Sequence, residues 1–188
     1  HGVVEETNQY IGLKGLNLEE HFRRLVPIPM TVGNDMNFLT MGCWAQKHPD
    51  AGSLVTLFMG GNGIGGGMVI NGQLWTGASG YCSEVGFLPV YERLNKGSLG
   101  LPPAEHISEL YARLIQIYAV TVNPHMMVLY RHPLLEGRLD EIRRLCASYL
   151  PSKAIPSIEL SYDYQQDYEK GLFTVAKSMG QAVSEGGL

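Results

Sequence analysis

The chain is 188 residues long with a formal charge of −4, and 45% of it is hydrophobic against 17% charged. That balance suits one globular domain, or one lobe of a two-lobed fold, and excludes a disordered or fibrous chain. It leaves no basic footprint for nucleic acid, no apolar run of the roughly 18–20 residues a membrane span needs and no cationic leader, so a cytoplasmic protein without membrane contact is expected.

The opening His1-Gly2-Val3-Val4 reads as a strand end already inside a fold, so the expectation is a fragment of a longer protein. Asn17 before Leu18-Glu19-Glu20-His21-Phe22 is an N-cap and first turn, with Leu18, Phe22 and Leu25 at helical spacing. Pro27 and Pro29 end that helix, and Met30-Thr31-Val32 reads as a short strand closing at Gly33. Asn34-Asp35 caps a second helix, predicted to run to about Gln46 and to pack Phe38, Leu39 and Trp44.

Ser53 to Met59 is a nearly continuous apolar run, as in a strand covered on both faces. The glycine stretch Gly60 to Gly67 interrupts the run before Met68-Val69-Ile70 resumes, and Asn71-Gly72 predicts a hairpin into Gln73-Leu74-Trp75, so a glycine-rich hairpin in a sheet is expected. A loop without periodicity follows from Thr76 to Pro103. Ile107, Leu110, Tyr111, Leu114, Ile115 and Tyr118 mark an amphipathic helix from Ala104 to about Val122, stopped by Asn123-Pro124. Met126 to Tyr130 is a buried strand, Leu139 to Leu150 a helix, Ser157 to Ser161 a strand, and Asp167 to about Ala182 a final helix. Hairpin strands followed by alternating helices and strands predict an α/β lobe with helices against a mixed sheet.

Cys43, Cys82 and Cys146 are odd in number and far apart, which predicts isolated reduced thiols rather than disulfides or a cysteine zinc site. His21, His48, His106, His125 and His132 lack ligand spacing and read as solvated or capping residues. Arg143-Arg144 reads as dipole compensation near a helix C-terminus, and Tyr162, Tyr164 and Tyr168 as packing around the last helix.

Two stretches resemble the ROK family of sugar kinases and sugar-responsive repressors. Val32-Gly33-Asn34-Asp35-Met36-Asn37 is similar to its Asn-Asp-x-Asn signature at a helix start. The ordered set Gly61-Asn62-Gly63-Ile64-Gly65-Gly66-Gly67, Asn71-Gly72, Gly77 to Gly80 and Ser83-Glu84-Val85-Gly86 is similar to its glycine hairpin and Gly-Glu-x-Gly-His element. Gly2-Val3-Val4 and Val122-Asn123-Pro124 extend the likeness over most of the chain. The resemblance implies an actin-like, ribonuclease-H-like lobe over residues 1–188, with the phosphate-loop lobe and any DNA-binding domain upstream.

By the same resemblance Asn34 bonds sugar hydroxyls, Asp35 is the catalytic base of a kinase or a sugar ligand, and Glu84 is a sugar-binding glutamate. Asn34 or Asp35 as a plain helix cap, and Glu84 as an exposed loop carboxylate, stand as alternatives. Gly61, Asn62, Gly63 and Gly65 resemble a phosphate loop whose glycines admit close backbone approach; a tight bend without ligand is the other reading.

The departures weigh against turnover. ROK kinases end the second element in a histidine that serves sugar and zinc, and here Phe87 stands there. No cysteine occurs from Pro89 to Pro103, so no zinc loop and no metal site are expected, and Phe87, Leu88 and Val90 are expected to cover that region instead. Tyr130-Arg131 replaces a Gly-Gly pair against adenosine, where side chains crowd a nucleotide. The resulting expectation is a sugar- or sugar-phosphate-binding module of a transcriptional regulator, homodimeric, needing no cofactor, and reaching DNA only through an upstream domain. Its rivals are a divergent Mg-ATP-dependent sugar kinase with Asp35 as base and a lobe kept only for dimerisation.

Overall fold

A computed structural model describes residues 2–4, 11–26, 28–61, 63–90 and 103–186, the last six as backbone only. Five strands form one mixed sheet: β1 (Ser53–Gly60), β2 (Gly63–Ile70), β3 (Gln73–Leu74), β4 (Met126–Tyr130) and β5 (Ser157–Ser161), in the order β3-β2-β1-β4-β5. β1 pairs antiparallel with β2 and parallel with β4, which pairs parallel with β5. Asn71 and Gly72, at φ 51° and 74°, make the turn that lays β3 on β2, the left-handed pair a two-residue hairpin requires.

Side chains alternate across this sheet with the strand period of two. Leu54, Phe58, Val128 and Tyr130 meet helices α2 (Asp35–Lys47) and α5 (Tyr164–Gly186) on one face. Val55, Leu57, Met59, Met127 and Leu129 meet α3 (Ile107–Thr121) and α4 (Leu139–Tyr149) on the other. The apolar stripe of α3 is almost wholly inaccessible, from Ile107 through Tyr118.

α2 and α5 touch through their backbones. A Cβ on Gly42 would lie 1.7 Å from the Asp167 carbonyl oxygen, and one on Gly171 1.8 Å from that of Phe38. Only glycine permits that approach.

α1 (Leu18–Arg23) is capped by Asn17, whose side chain accepts from Glu20 N at 3.0 Å, yet the helix buries no residue. No helix among the described residues is long and apolar enough to cross a membrane.

Several elements differ from their sequence expectation. Residues 29–34 form no strand: the Val32 N–H donates to Glu19 Oε1 (3.0 Å) instead of to a neighbouring strand. The glycine run is the expected glycine-rich hairpin of the sheet, though it does not break the strand: Gly63 to Gly67 lie within β2 in full register with β1. The last helix begins at Tyr164, ahead of the expected Asp167. Arg143 and Arg144 fall inside α4, where Arg143 donates to the Ile158 carbonyl (2.8 Å) and ties the helix to β5. Pro27 and the segment 91–102, within the expected loop, lie outside the described residues.

Candidate functional site

The site gathers around the glycine run of β2. Asn34 is the N-cap of α2, its Oδ1 accepting from Met36 N at 2.8 Å, and Asp35 Oδ1 accepts from the same N–H at 2.8 Å. The plain helix-cap reading of this pair holds. They cap the helix, and their side chains still face solvent at its positive end.

The helix start is pressed against β2, since a Cβ on Gly65 would come 2.8 Å from Met36 Cγ and one on Gly67 2.0 Å from Thr40 Oγ1. On the opposite face, a Cβ on Gly66 would come 2.9 Å from the Ser83 carbonyl oxygen and 3.2 Å from the Tyr118 hydroxyl. The glycines thus make β2 a thin partition, with the first turn of α2 on one side and the Ser83–Val85 loop on the other.

Asp35 and Glu84 feel each other electrostatically. Partial burial in the loop and the negative charge of Asp35 together raise the Glu84 carboxyl above its ordinary range, although the side chain still reaches solvent. Tyr164 is raised too, by burial first and then by the same Asp35 charge. It stacks on Phe58 with ring centroids 4.4 Å apart and forms an aromatic wall beside the helix start. Nothing in the sequence spacing marks Tyr164 as part of this neighbourhood.

Of the four phosphate-loop candidates, Gly65 lies inside β2 beneath Met36, so its missing side chain is explained by packing. Gly61 sits at the hairpin tip in open space and Gly63 has φ 136°, whereas Asn62 is outside the described residues. Gly63 is two residues before Gly65, about 7 Å along the strand, and Gly61 at the tip lies two residues further.

Phe87 is 79% exposed, its ring 6.2 Å from that of Tyr81, and Leu88 and Val90 pack on the core; the loop they were expected to cover lies largely outside the described residues. Phe87 offers no donor to a metal ion, and among the described residues no group of three His, Cys, Asp or Glu side chains could hold one.

Tyr130 also departs from expectation. It crowds no cleft, because it is fully buried between β4 and α5 and its hydroxyl donates to Asp167 Oδ2 at 2.7 Å. Arg131 alone remains outside, about half exposed and paired with Glu136 at 2.6 Å. Cys43, Cys82 and Cys146 are free thiols, with burial raising Cys43 to about 12 and Cys146 to about 11. His132 caps the turn at Leu134 and His125 bonds Ser53, both structural tasks.

A model of the ROK family matches residues 1–105. A glucokinase of Halalkalibacterium halodurans is 30% identical over 80 residues, which is 43% of this chain but only 24% of that enzyme. A putative N-acetylmannosamine kinase of Listeria monocytogenes superposes with a TM-score of 0.73 at 16% identity, over 94% of this chain and 76% of the other. A ROK-family transcriptional regulator, homologue of the Escherichia coli Mlc protein, superposes at 0.70 and 16% identity, over 95% and 59%. These likenesses show the fold, the actin-like ATPase arrangement of a mixed sheet between helices.

Proposed function

The chain belongs to the ROK family, and on that premise we propose that Asn34, Asp35 and Glu84 bind a sugar or sugar phosphate in a regulator whose phosphoryl-transfer chemistry is lost. The observation that supports this reading is that Asn34, Asp35 and Glu84 are all exposed on elements packed against the glycines of β2, with the charge of Asp35 acting on Glu84. Carboxylates and an amide suit a polyol: the carboxylates accept from its hydroxyls, and Asn34, its Oδ1 engaged with Met36, offers its NH2 to a sugar oxygen. Sensing needs only different affinities for two conformations. Homodimerisation through this lobe and DNA contact through an upstream domain belong to the same proposal, for which the regulator of similar fold is the support.

Loss of turnover is supported by Phe87 at the histidine position and by the Arg131 side chain where glycines would border a nucleotide. The kinase reading keeps one observation of its own. Asp35 is solvent-facing at a helix start, placed as a base for a sugar hydroxyl, and the curated relative is a glucokinase.

Thermal unfolding with hexoses, amino sugars, their 6-phosphates and Mg-ATP separates the two. A sugar at a hundred times its Kd stabilises the fold by about 2.7 kcal/mol. A shift with one sugar and none with Mg-ATP is expected. Sugar-dependent ADP release that disappears in Asp35→Ala would establish the kinase instead.

A further inference from the structure

The turn that carries Glu84 leaves two aromatic rings on the outside. Phe87 is 79% exposed and Tyr81 48%, and their ring centroids lie 6.2 Å apart at 59°, within the range of an interacting aromatic pair. The apolar residues around Phe87 turn the other way: Val85 is 1% exposed, and Leu88 and Val90 pack on the core. Single exposed apolar residues are ordinary on a protein surface, whereas adjoining ones mark a contact site.

The backbone fixes both rings beside Glu84. The Glu84 N–H donates to the Tyr81 carbonyl (3.3 Å), closing a turn that returns the chain from Tyr81 to Glu84. The Phe87 N–H donates to the Glu84 carbonyl (3.2 Å) and the Leu88 N–H to that of Val85 (3.1 Å), which makes Val85–Phe87 one 3-10 turn lying against β2. Three residues per turn bring positions 84 and 87 to one edge of it. An exposed carboxylate thus shares a hydrogen-bonded turn with two exposed rings.

We propose that Tyr81 and Phe87 form an aromatic platform beside Glu84 that stacks on the hydrocarbon face of a bound pyranose. The inference deepens the proposed sugar site and rests on it. A charged acceptor next to an apolar surface fits an amphipathic ligand. A pyranose is one: its hydroxyls project at the rim, where Glu84 accepts from them, while its C–H bonds cover the faces. The turn is hydrogen-bonded and anchored by Val85 without ligand, so little ordering of the rings opposes binding. Tyr81 serves through its ring and not its hydroxyl.

Calorimetric titration of D-glucose and of N-acetyl-D-mannosamine, with proton NMR of the sugar, tests this on wild type and variants, and the urea midpoint of each variant checks that its fold is intact. At least one of the two sugars is expected to bind, with its ring C–H protons shifted upfield by the aromatic ring currents. Phe87→Leu and Tyr81→Leu should each weaken it at least ~5-fold, and Tyr81→Phe should not. Affinity unmoved in both leucine variants, or a bound sugar without upfield shifts, overturns the proposal; if Glu84→Gln and Asp35→Asn still weaken binding, the sugar site stands without its platform. Weakening by the leucine variants but not by those two would keep the platform and remove the carboxylates. Binding of neither sugar overturns both. A dimer of wild type that Phe87→Leu splits, with sugar affinity unmoved, gives the rings to a second copy of the chain and also overturns it.

Discussion

Replacing Lys47 by methionine should destabilise this fold by about 3 kcal/mol, through a charge left behind in the core. Asp167 is wholly inaccessible, and its Oδ2 accepts from Lys47 Nζ at 2.8 Å and from Tyr130 at 2.7 Å, while Oδ1 has no hydrogen-bond partner among the described residues. Lys47, about one-fifth exposed, also reaches Asp163 (3.1 Å) and Ser161 Oγ (3.1 Å), so it joins the end of α2 to β5 and the start of α5. Removing one partner of a buried pair costs about 3–5 kcal/mol because the other stays charged and uncompensated; the partial exposure of Lys47 places the value at the lower end. Removing both charges, as Lys47→Met with Asp167→Asn, should bring stability back to within about 1.5 kcal/mol of wild type. Equilibrium urea unfolding followed by circular dichroism measures each variant. A cost below about 1 kcal/mol for the single change, or a double variant as weak as the sum of its parts, would refute the reasoning.

Other perturbations act on glycines, pH and Glu84. Gly42→Ala or Gly171→Ala should cost several kcal/mol, on the order of a severe core overpacking, because the added carbon meets backbone at 1.7 or 1.8 Å, whereas Gly86→Ala, with nothing within 4 Å, should shift the melting temperature little. Stability should fall in alkali. Burial raises Cys43 from 9.0 to about 12 and Tyr118 from 10.0 to about 12, so the unfolded chain loses these protons first and the stabilisation fades between pH 9 and 12. Urea midpoints collected across that range check the sign, and a rise would contradict it. Glu84→Gln should leave the midpoint at neutral pH unchanged or higher, since burial and Asp35 disfavour the carboxylate, while the thermal response to sugar disappears; a large loss of stability would give Glu84 a structural task instead.

Much of the architecture was legible because local and tertiary demands agreed. Asn17 and Asn34 were readable as caps and both act as caps, and Ser53 to Met59 was readable as a strand covered on both faces because it is so covered. Met30 to Val32 misled because β-branched composition says nothing of whether a partner strand is within reach. The glycine run was legible as a hairpin but not for its packing: glycine usually weakens a strand, but here it admits α2 on one side and the Ser83 loop on the other.

Asn34, Asp35 and Glu84 were marked only by family resemblance. No local spacing relates residues 35 and 84, because α2 and the Ser83 loop are brought to β2 by tertiary packing. Tyr130 was read as an obstruction in a cleft. In fact Asp167, 37 residues on, draws its hydroxyl into the core. The Lys47–Asp167 pair spans 120 residues and left no trace in the sequence. Ser83 gave none either, since a left-handed serine looks like any other.

Calorimetric titration of hexoses into wild type, Asp35→Asn and Glu84→Gln is the most direct test of the sugar site. The account predicts saturable binding of at least one hexose in the absence of nucleotide, weakened at least ~10-fold, or about 1.4 kcal/mol, by either substitution. Binding indifferent to both substitutions, or no binding of any hexose by the wild type, would contradict it.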